Sequence, residues 1–391
     1  MDQYLLKGLR VLDLTRNVAG PFATMILGDL GAEVIKIEHP GTGDDTRHWG
    51  PPFYEGAAPS FLELNRNKHS VTLDLASPEA GDIMTKLVHN VDVLVESFRP
   101  GALEKLGFGA EWARQLNPEL IYCSVTSYGN VGPLRDRPGY DPLLQAFGGV
   151  MSVTGESDRP PVRVGFSSID MGTGMWAAIA VLGALYRRME TQQGEHIVTS
   201  LYETALSWMR LPLSGYRVGG QVPDRHGSGI GGIVPYRAYP TSDGYLVIAA
   251  GNDNLFQRLC AVLGHAEWAD DERFLTNPAR VQNRAAIDAL ITESAQGWTT
   301  ADLEKELLDH GVPCSPIRTL DVVAEDEQAA ALGIFHTTTE GSFAGSSVVG
   351  LPMTFGGKRP LPARSASKLG EQTSDILAGL GLTQGDAGSE E

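Results

Sequence analysis

From residue 10 to residue 129 the chain alternates short β-rich runs with helically periodic stretches. The runs are RVLDL (10–14), AEVIKIE (32–38), SVTLDL (70–75), VDVLVESF (91–98) and LIYCSVTSYG (120–129). Between them, apolar residues recur at helical spacing over 22–30, 78–90 and 101–117. Strands linked through helices return in the same direction, so the pattern predicts a βαβ-built, mainly parallel sheet in an α/β protein. Turn chemistry falls where such units need it, in HPGTGDD (39–45), RPGA (99–102) and GNVGPLRDRPG (129–139).

Beyond this region a long Ala/Gly-rich helix is expected from Asp170, then a strand over 196–201 and a helix over 202–209. Residues 214–235 are rich in Gly and Pro with few apolar anchors, the texture of a linker or functional loop. A compact pattern follows, with strands over 245–251 and 315–320 and helices over 254–264, 284–296 and 300–311. A last amphipathic helix covers 369–382. These segments divide the chain into a large domain (1–210), a glycine-rich linker or flap (211–235), a smaller α/β domain (236–325) and a return segment (326–391) packing on the large domain. The apolar run 175–186 is shorter than the roughly twenty residues that span a bilayer, so a buried core helix is expected there. The first residues, MDQYLLKGLRVLDLTRN, carry no basic head with an apolar run and cleavage site, and a cytoplasmic location is expected. The acidic tail GDAGSEE is expected to fray.

With 48 acidic residues against 31 Lys and Arg, the net charge is −17. That field repels polyanions, so nucleic-acid and membrane partners are not expected, and any phosphate-bearing ligand needs a local basic cluster. Cys123, Cys260 and Cys314 are too few and too far apart for a disulfide framework and lack metal-ligand spacing; no metal is expected. GSGIGG (227–232) satisfies GxGxxG, but no apolar strand precedes it and Ile233-Val234-Pro235 follows instead of a helix. Without strand–turn–helix context no helix N-terminus aims at a pyrophosphate, so NAD is not expected and a mobile glycine loop is. No GxSxG, HExxH or Walker pattern occurs. Lone histidines such as His89 and His310 read as ordinary helix residues.

Asp170, in GFSSIDMGTGMWAAIAVLGALYRR, stands one residue before the expected start of the long helix. A helix N-cap is a common role for Asp. The same position also suits a nucleophile, because the helix dipole favours the charged carboxylate and an Asp needs no neighbouring base at neutral pH. Spacing alone leaves both readings open.

The strings VAGPFATMILGDLGAEVIKIEHPGTGDDTRHWGPPF, LNRNKHSVTLDL, VDVLVESFRPGALEKLGFG, RPGYDPLLQAFGGVMSVTG and IDMGTGMWAAIAVLGAL occur in that order. Together they resemble the class III CoA-transferases, the family of formyl-CoA transferase and the carnitine CoA-transferase, from about residue 7 to 382. IVPYRAYPTSDGYLVIAAGNDNLFQRLC resembles the branch with succinate–hydroxymethylglutarate CoA-transferase. The resemblance implies a Rossmann-like large domain, a smaller inserted domain and an interlocked homodimer. It also implies Asp170 as a covalent nucleophile that forms an aspartyl-CoA thioester, with coenzyme A and carboxylic acids as substrates.

Carried over residue by residue, the resemblance places CoA contacts at Val18, Ala19, Leu73, Ser97, Phe98 and Arg99, with Lys105 and Tyr140 beside them. His39, Ala76, Ser97 and Pro138 depart from formyl-CoA transferase, which has Arg, Lys, Asn and Lys there. Phosphate contacts must therefore be reassigned among Arg66, Lys68, Arg99, Lys105, Arg135 and Arg137. Arg47 and Arg237 are candidates to clamp the distal carboxylate of a dicarboxylic acid. Gly229 and Gly231 are candidates to close over the substrate. α-Methylacyl-CoA racemase is the alternative activity, but its catalytic His is replaced by Tyr140, a poor base at neutral pH. A catalytically inactive CoA-binding protein is the second alternative, and the presence of Asp170 argues against it.

Overall fold

Each β-rich run lies in one sheet of the computed structural model, which describes residues 4–382. The strands are β1 (Arg10–Leu14), β2 (Glu33–Glu38), β3 (Lys68–Thr72), β4 (Val93–Glu96), β5 (Ile121–Thr126) and β6 (His196–Ser200). They pair in parallel in the order β3-β2-β1-β4-β5-β6, with Leu12 opposite both Ile35 and Leu94. The order reverses between β1 and β4, which opens a crevice beyond the carboxyl ends of those strands. The helices that accompany the sheet are α1 (Ala19–Asp29), α2 (Pro59–Asn65), α3 (Ala80–His89), α4 (Ala102–Lys105), α5 (Ala110–Leu116), α6 (Asp141–Phe147), α7 (Ser168–Thr191) and α8 (Leu201–Trp208).

Alternation along the strands sorts side chains onto two faces. On one face Leu12, Leu14, Ile35, Ile37, Leu94 and Tyr122 pack with Met84 and Leu87 of α3 and Ala113 of α5. On the other, Asp13 and Lys36 project between those leucines and isoleucines, and Asp13 bonds Thr24 of α1 at 2.7 Å. The small residues of α7 allow close approach to α1: a Cβ on Gly174 would lie 2.5 Å from the Ala19 carbonyl oxygen. At 24 residues α7 is long and apolar enough to cross a bilayer by length and composition, more so than the run 175–186 suggested. Its Ile169, Ala177, Ala178 and Val181 are nevertheless packed inside.

The expected strand 70–75 is displaced to Lys68–Thr72, because Lys68 at its start is a buried polar residue that hydrophobic patterning passes over. The expected helical stretch 101–117 is two helices, broken where Gly107 takes φ +89.

The chain divides into two compact units. Among the described residues, one comprises 4–148, Gly165–Trp208 and 327–382; the other comprises Gly149–Val164 and Met209–Asp326. In the first, the C-terminal part holds α15 (Glu327–Leu332), the antiparallel pair β10 (Phe335–Thr337) and β11 (Ser347–Val349), and α16 (Thr373–Gly379). It seals the sheet edge: the Gln372 side-chain oxygen accepts from the Ser70 amide at 2.8 Å, and Thr373 Oγ1 from the Thr72 amide at 3.0 Å. The acidic tail lies outside the described residues.

The second unit contains α9 (Arg210–Gly219), so the stretch from 211 read as linker begins as helix. Its antiparallel sheet joins β7 (Tyr236–Pro240), β8 (Tyr245–Ala249) and β9 (Cys314–Pro316). The helices α10 (Asp253–Val262), α11 (Asn277–Gln282), α12 (Arg284–Ala295), α13 (Thr300–Asp309) and α14 (Leu320–Ala324) complete it. Its core gathers Tyr239, Ile248, Phe256, Leu259, Ile287, Ile291, Leu303 and Leu307. The segment Gly149–Val164 belongs here because Gly227 donates to the Gly155 carbonyl at 2.9 Å and Arg225 binds the carbonyls of Glu156, Ser157 and Arg159.

Asp13 is fully buried and accepts from Lys68 Nζ at 2.9 Å and from the Thr15 amide and hydroxyl at 2.8 and 2.5 Å. Removing its charge leaves the buried Lys68 ammonium without its close counter-ion, while Lys36 keeps Asp44 at 3.0 Å. Asp13→Asn is therefore expected to lower stability by about 3 kcal/mol, read from urea unfolding. A loss under about 1 kcal/mol would contradict the role assigned to this ion cluster.

Candidate active site

The crevice at the strand-order reversal is walled by three loops, each fixed by hydrogen bonds below it. After β1, the loop Thr15–Val18 turns through Asn17 at φ +68 into α1. Lys36 Nζ donates to the Thr15 carbonyl at 2.7 Å and pairs with Asp44 at 3.0 Å, and Asp44 Oδ1 accepts the Asn17 amide at 3.3 Å. Gly20 is required for this turn, since a Cβ there would come within 2.4 Å of the Thr15 side chain. After β4, the Glu96 carboxylate accepts the Phe98 amide at 2.7 Å, and Ser97 Oγ accepts the Arg16 amide at 3.1 Å. The two loops are thus tied across the reversal point. After β5, Ser127 Oγ donates to the Gly139 carbonyl at 3.4 Å, which holds the segment that leads to Tyr140.

Asp170 sits in the first turn of α7, which begins at Ser168, so the N-cap reading of its side chain does not hold. The acceptor at this helix end is Asp141 at the start of α6. Its Oδ2 takes the amides of Ile169 at 2.8 Å and Asp170 at 3.2 Å, while Gln145 Nε2 binds its Oδ1 at 2.5 Å. The Asp170 carboxyl is left for the crevice. Burial, with the Asp141 carboxylate adding to it, pushes its pKa up to about 7. The expectation of a fully ionised group at neutral pH is corrected accordingly: near pH 7 it is divided between acid and carboxylate. In the carboxylate form it lies at a helix N-terminus, where negative charge is stabilised, and a carboxylate there has the chemistry of an oxygen nucleophile.

A cavity of about 400 Å³ brings together Val18, Ala19, Ser97, Phe98, Arg99, Tyr140 and Asp170, with Pro138 at its wall. Leu73 lies in a neighbouring apolar slot of about 240 Å³ with Leu14, Ile37, Leu75, Phe98 and Leu106. A third, polar cavity of about 300 Å³ holds Glu96, Glu104, Ser124, Arg135 and His196, and Arg99 borders it too. Lys105 is exposed on α4 and lines none of the three.

Several expected cations are committed elsewhere. Arg66 pairs with Asp29 at 2.8 Å and Glu63 at 2.5 Å, and Lys68 is buried on Asp13. Arg47 is buried, bound to both Glu38 oxygens at 2.6 and 2.8 Å and stacked over Phe61, so it is a structural ion and not a carboxylate clamp. Arg137 lies over the Tyr128 and Phe147 rings. Arg237 is in the second unit, where it contacts Asp288 at 3.3 Å. Gly229 and Gly231 are there as well. The Gly229 amide donates to the His226 carbonyl at 2.9 Å, and Arg284 binds the Ile230 and Gly231 carbonyls at 2.9 and 2.6 Å.

Arg16, Asn17, Trp49 and Leu201 also line the main cavity and were not singled out from the sequence. A signal existed for the first two: a polar pair one residue beyond a buried strand and immediately before Val-Ala-Gly-Pro.

Comparison with known proteins gives a consistent result. The model of CoA-transferase family III matches residues 6–373. A mouse protein named succinyl-CoA:glutarate CoA-transferase is 39% identical over 372 residues, covering 95% of this chain and 85% of its own. An Agrobacterium fabrum protein named succinate–glutarate CoA-transferase is 38% identical over 383 residues, covering 96% and 95%. Among solved structures, a CAIB/BAIF family protein from Brucella suis is similar with a TM-score of 0.88 and 40% identity, covering 97% of this chain and 100% of its own.

The carboxylate of Asp141 is the second cause of the raised Asp170 pKa, after burial. Asp141→Asn retains an acceptor for the two amides and removes the charge. Carboxyl-carbon NMR of Asp170 is expected to show its titration moving to lower pH in this variant while staying above the ordinary value of about 3.9. An unmoved titration would mean that Asp141 does not act on Asp170.

Proposed function

The chain belongs to CoA-transferase family III, and we propose that it moves CoA from an acyl-CoA donor to a dicarboxylic acid through a covalent intermediate on Asp170. The observation that carries this reading is the Asp170 carboxyl, aimed into a cavity at the strand-order reversal beside the residues expected to meet CoA. The names of the mouse and Agrobacterium relatives support succinyl-CoA as donor and a five-carbon dicarboxylic acid as acceptor.

The chemistry is a chain of acyl exchanges. An Asp170 carboxylate oxygen attacks the thioester carbonyl; the C–S bond breaks and the CoA thiolate leaves a mixed anhydride. The thiolate attacks the aspartyl carbonyl of that anhydride, which releases the donor acid as carboxylate and leaves an aspartyl-CoA thioester. The acceptor carboxylate attacks this thioester and expels the thiolate again. The thiolate then attacks the acceptor acyl carbon, giving the new acyl-CoA and free Asp170. No electrons are transferred between oxidation states, no net proton is consumed, and each step trades one activated acyl group for another.

Ionisation of Asp170 is the condition for entry into this cycle. Asp141 holds its backbone, and the N-terminus of α7 favours the anionic states. The apolar slot at Leu73 suits the flat adenine of CoA. On α7 the large apolar side chains Met175, Trp176, Ile179, Tyr186 and Met189 are exposed. An exposed apolar stripe of this kind supports an interaction surface, and we propose that a second copy covers it in an interlocked homodimer.

Asp170→Ala is expected to lower transfer by at least about a thousandfold with CoA affinity by calorimetry near wild type. Hydroxylamine added to wild type with succinyl-CoA is expected to derivatise Asp170, identified by peptide mass spectrometry. Transfer retained above about a tenth in the variant would end the covalent reading. For the dimer, tagged and untagged protein are expected to form mixed species only after unfolding and refolding, and exchange on simple mixing would refute the interlocking.

A further inference from the structure

Resting on the proposed CoA transfer, we infer that Arg16 is the cation that grips the diphosphate of the CoA thioester. The net charge of −17 means that a polyanionic cofactor is held only by local cations. Around the crevice most are spent: Lys36, Arg47, Arg66 and Lys68 are buried in ion pairs. The Arg16 side chain is exposed, and no partner holds its guanidinium among the described residues.

Its position is specific. Arg16 and Phe98 are the residues common to the cavity of Asp170 and the apolar slot of Leu73. Along an acyl-CoA the diphosphate lies between the adenine and the pantetheine arm that carries the thioester. A molecule with its adenine in the slot and its thioester at Asp170 therefore brings its diphosphate past the border where Arg16 stands. The planar guanidinium offers paired donors that match phosphate oxygens. The backbone of Arg16 is fixed for this task, because its amide is held by Ser97 Oγ at 3.1 Å and the preceding carbonyl by Lys36 at 2.7 Å.

Arg99, the other arginine of the main cavity without a side-chain partner among the described residues, also borders the polar cavity but not the slot. That space does not reach the slot of Leu73, so a molecule running from the slot to Asp170 passes Arg16 and not the side of Arg99 that faces Glu104 and Arg135. His39 reaches the slot, but its Nδ1 is 2.7 Å from the Pro40 carbonyl, and it does not join the lining of Asp170's cavity.

The test compares wild type with Arg16→Gln and Arg16→Lys on three thioesters: succinyl-CoA, succinyl-3′-dephospho-CoA and succinyl-pantetheine, the last without a diphosphate. Arg16→Gln is expected to raise KM for the first two by about tenfold or more with kcat within about twofold, and to leave succinyl-pantetheine unchanged. Arg16→Lys recovers part of the loss. An equal penalty on succinyl-pantetheine, a penalty confined to the acceptor acid, or a penalty that vanishes with the 3′-dephospho substrate would each overturn the inference; the last would assign Arg16 to the 3′-phosphate. Calorimetry with free CoA and free pantetheine asks the same question without turnover. A wild type that binds CoA and transfers nothing would refute the proposed function alone, and the Arg16→Gln loss of CoA affinity, absent for pantetheine, would still decide the role of Arg16.

Discussion

The geometry of the crevice depends on charges buried beneath it. Asp13, Lys36, Lys68, Asp44 and Glu38 lie together on the α1 face of the sheet, each almost inaccessible to water. Desolvating such ions costs several kcal/mol apiece, and only close pairing with full hydrogen bonding offsets it. Here the polar contacts are directional. Asp13 is held well below the ordinary carboxylate range by Lys36, Lys68 and two threonine hydroxyls, against the burial that alone would raise it. Lys68 sits lower than usual, at about 8, because burial outweighs its pairing with Asp13. An apolar replacement of similar volume would fill the space but could not hold the Thr15 carbonyl and the Asn17 amide. Those two groups set the left-handed backbone at Asn17 and so the direction in which Arg16 and Val18 leave the strand.

Asp170 shows two opposed effects of comparable origin and unequal size. A helix N-terminus favours a nearby carboxylate by about 0.3–1 kcal/mol, and up to about 2 when partly buried. A pKa raised from 3.8 to about 7 corresponds to roughly 4 kcal/mol in the other direction. Burial beside Asp141 therefore outweighs the dipole, and the carboxylate that does form is poorly solvated. Poor solvation makes the anion a stronger nucleophile, while the share held as neutral acid is the cost.

The strands were legible because their apolar runs are long and covered on both faces, as in β1, β2, β4 and β5, where local pattern and tertiary burial coincide. Where they diverge, the sequence misleads: β3 begins at Lys68, and α9 forms in a stretch whose Gly and Pro content reads as linker. The cations illustrate the same limit. Nothing in the spacing of Arg47, Arg66 and Lys68 distinguishes them from solvated charges, because their partners Glu38, Asp29 and Asp13 come from other strands and helices. The capping role fell on Asp141 for a similar reason: it lies 28 residues before the amide that it accepts, beyond any local capping pattern.

The two faces of α7 carry side chains of very different size. Gly172, Thr173, Gly174, Ala177 and Ala178 are buried, and Gly174 cannot carry a Cβ without striking the Ala19 carbonyl, so this face fixes Asp170 against the loop that enters α1. Small residues on that side leave the helix little apolar area to bury by itself. The large residues Met175, Ile179, Tyr186 and Met189 follow one another at spacings of three to seven along the other side, exposed. A helix that gained stability only from its glycine and alanine face would be a weak support for a buried carboxyl whose charge is disfavoured. Covering the outer stripe adds the apolar burial that the inner face lacks, so an interface there would stiffen the same turn that presents Asp170.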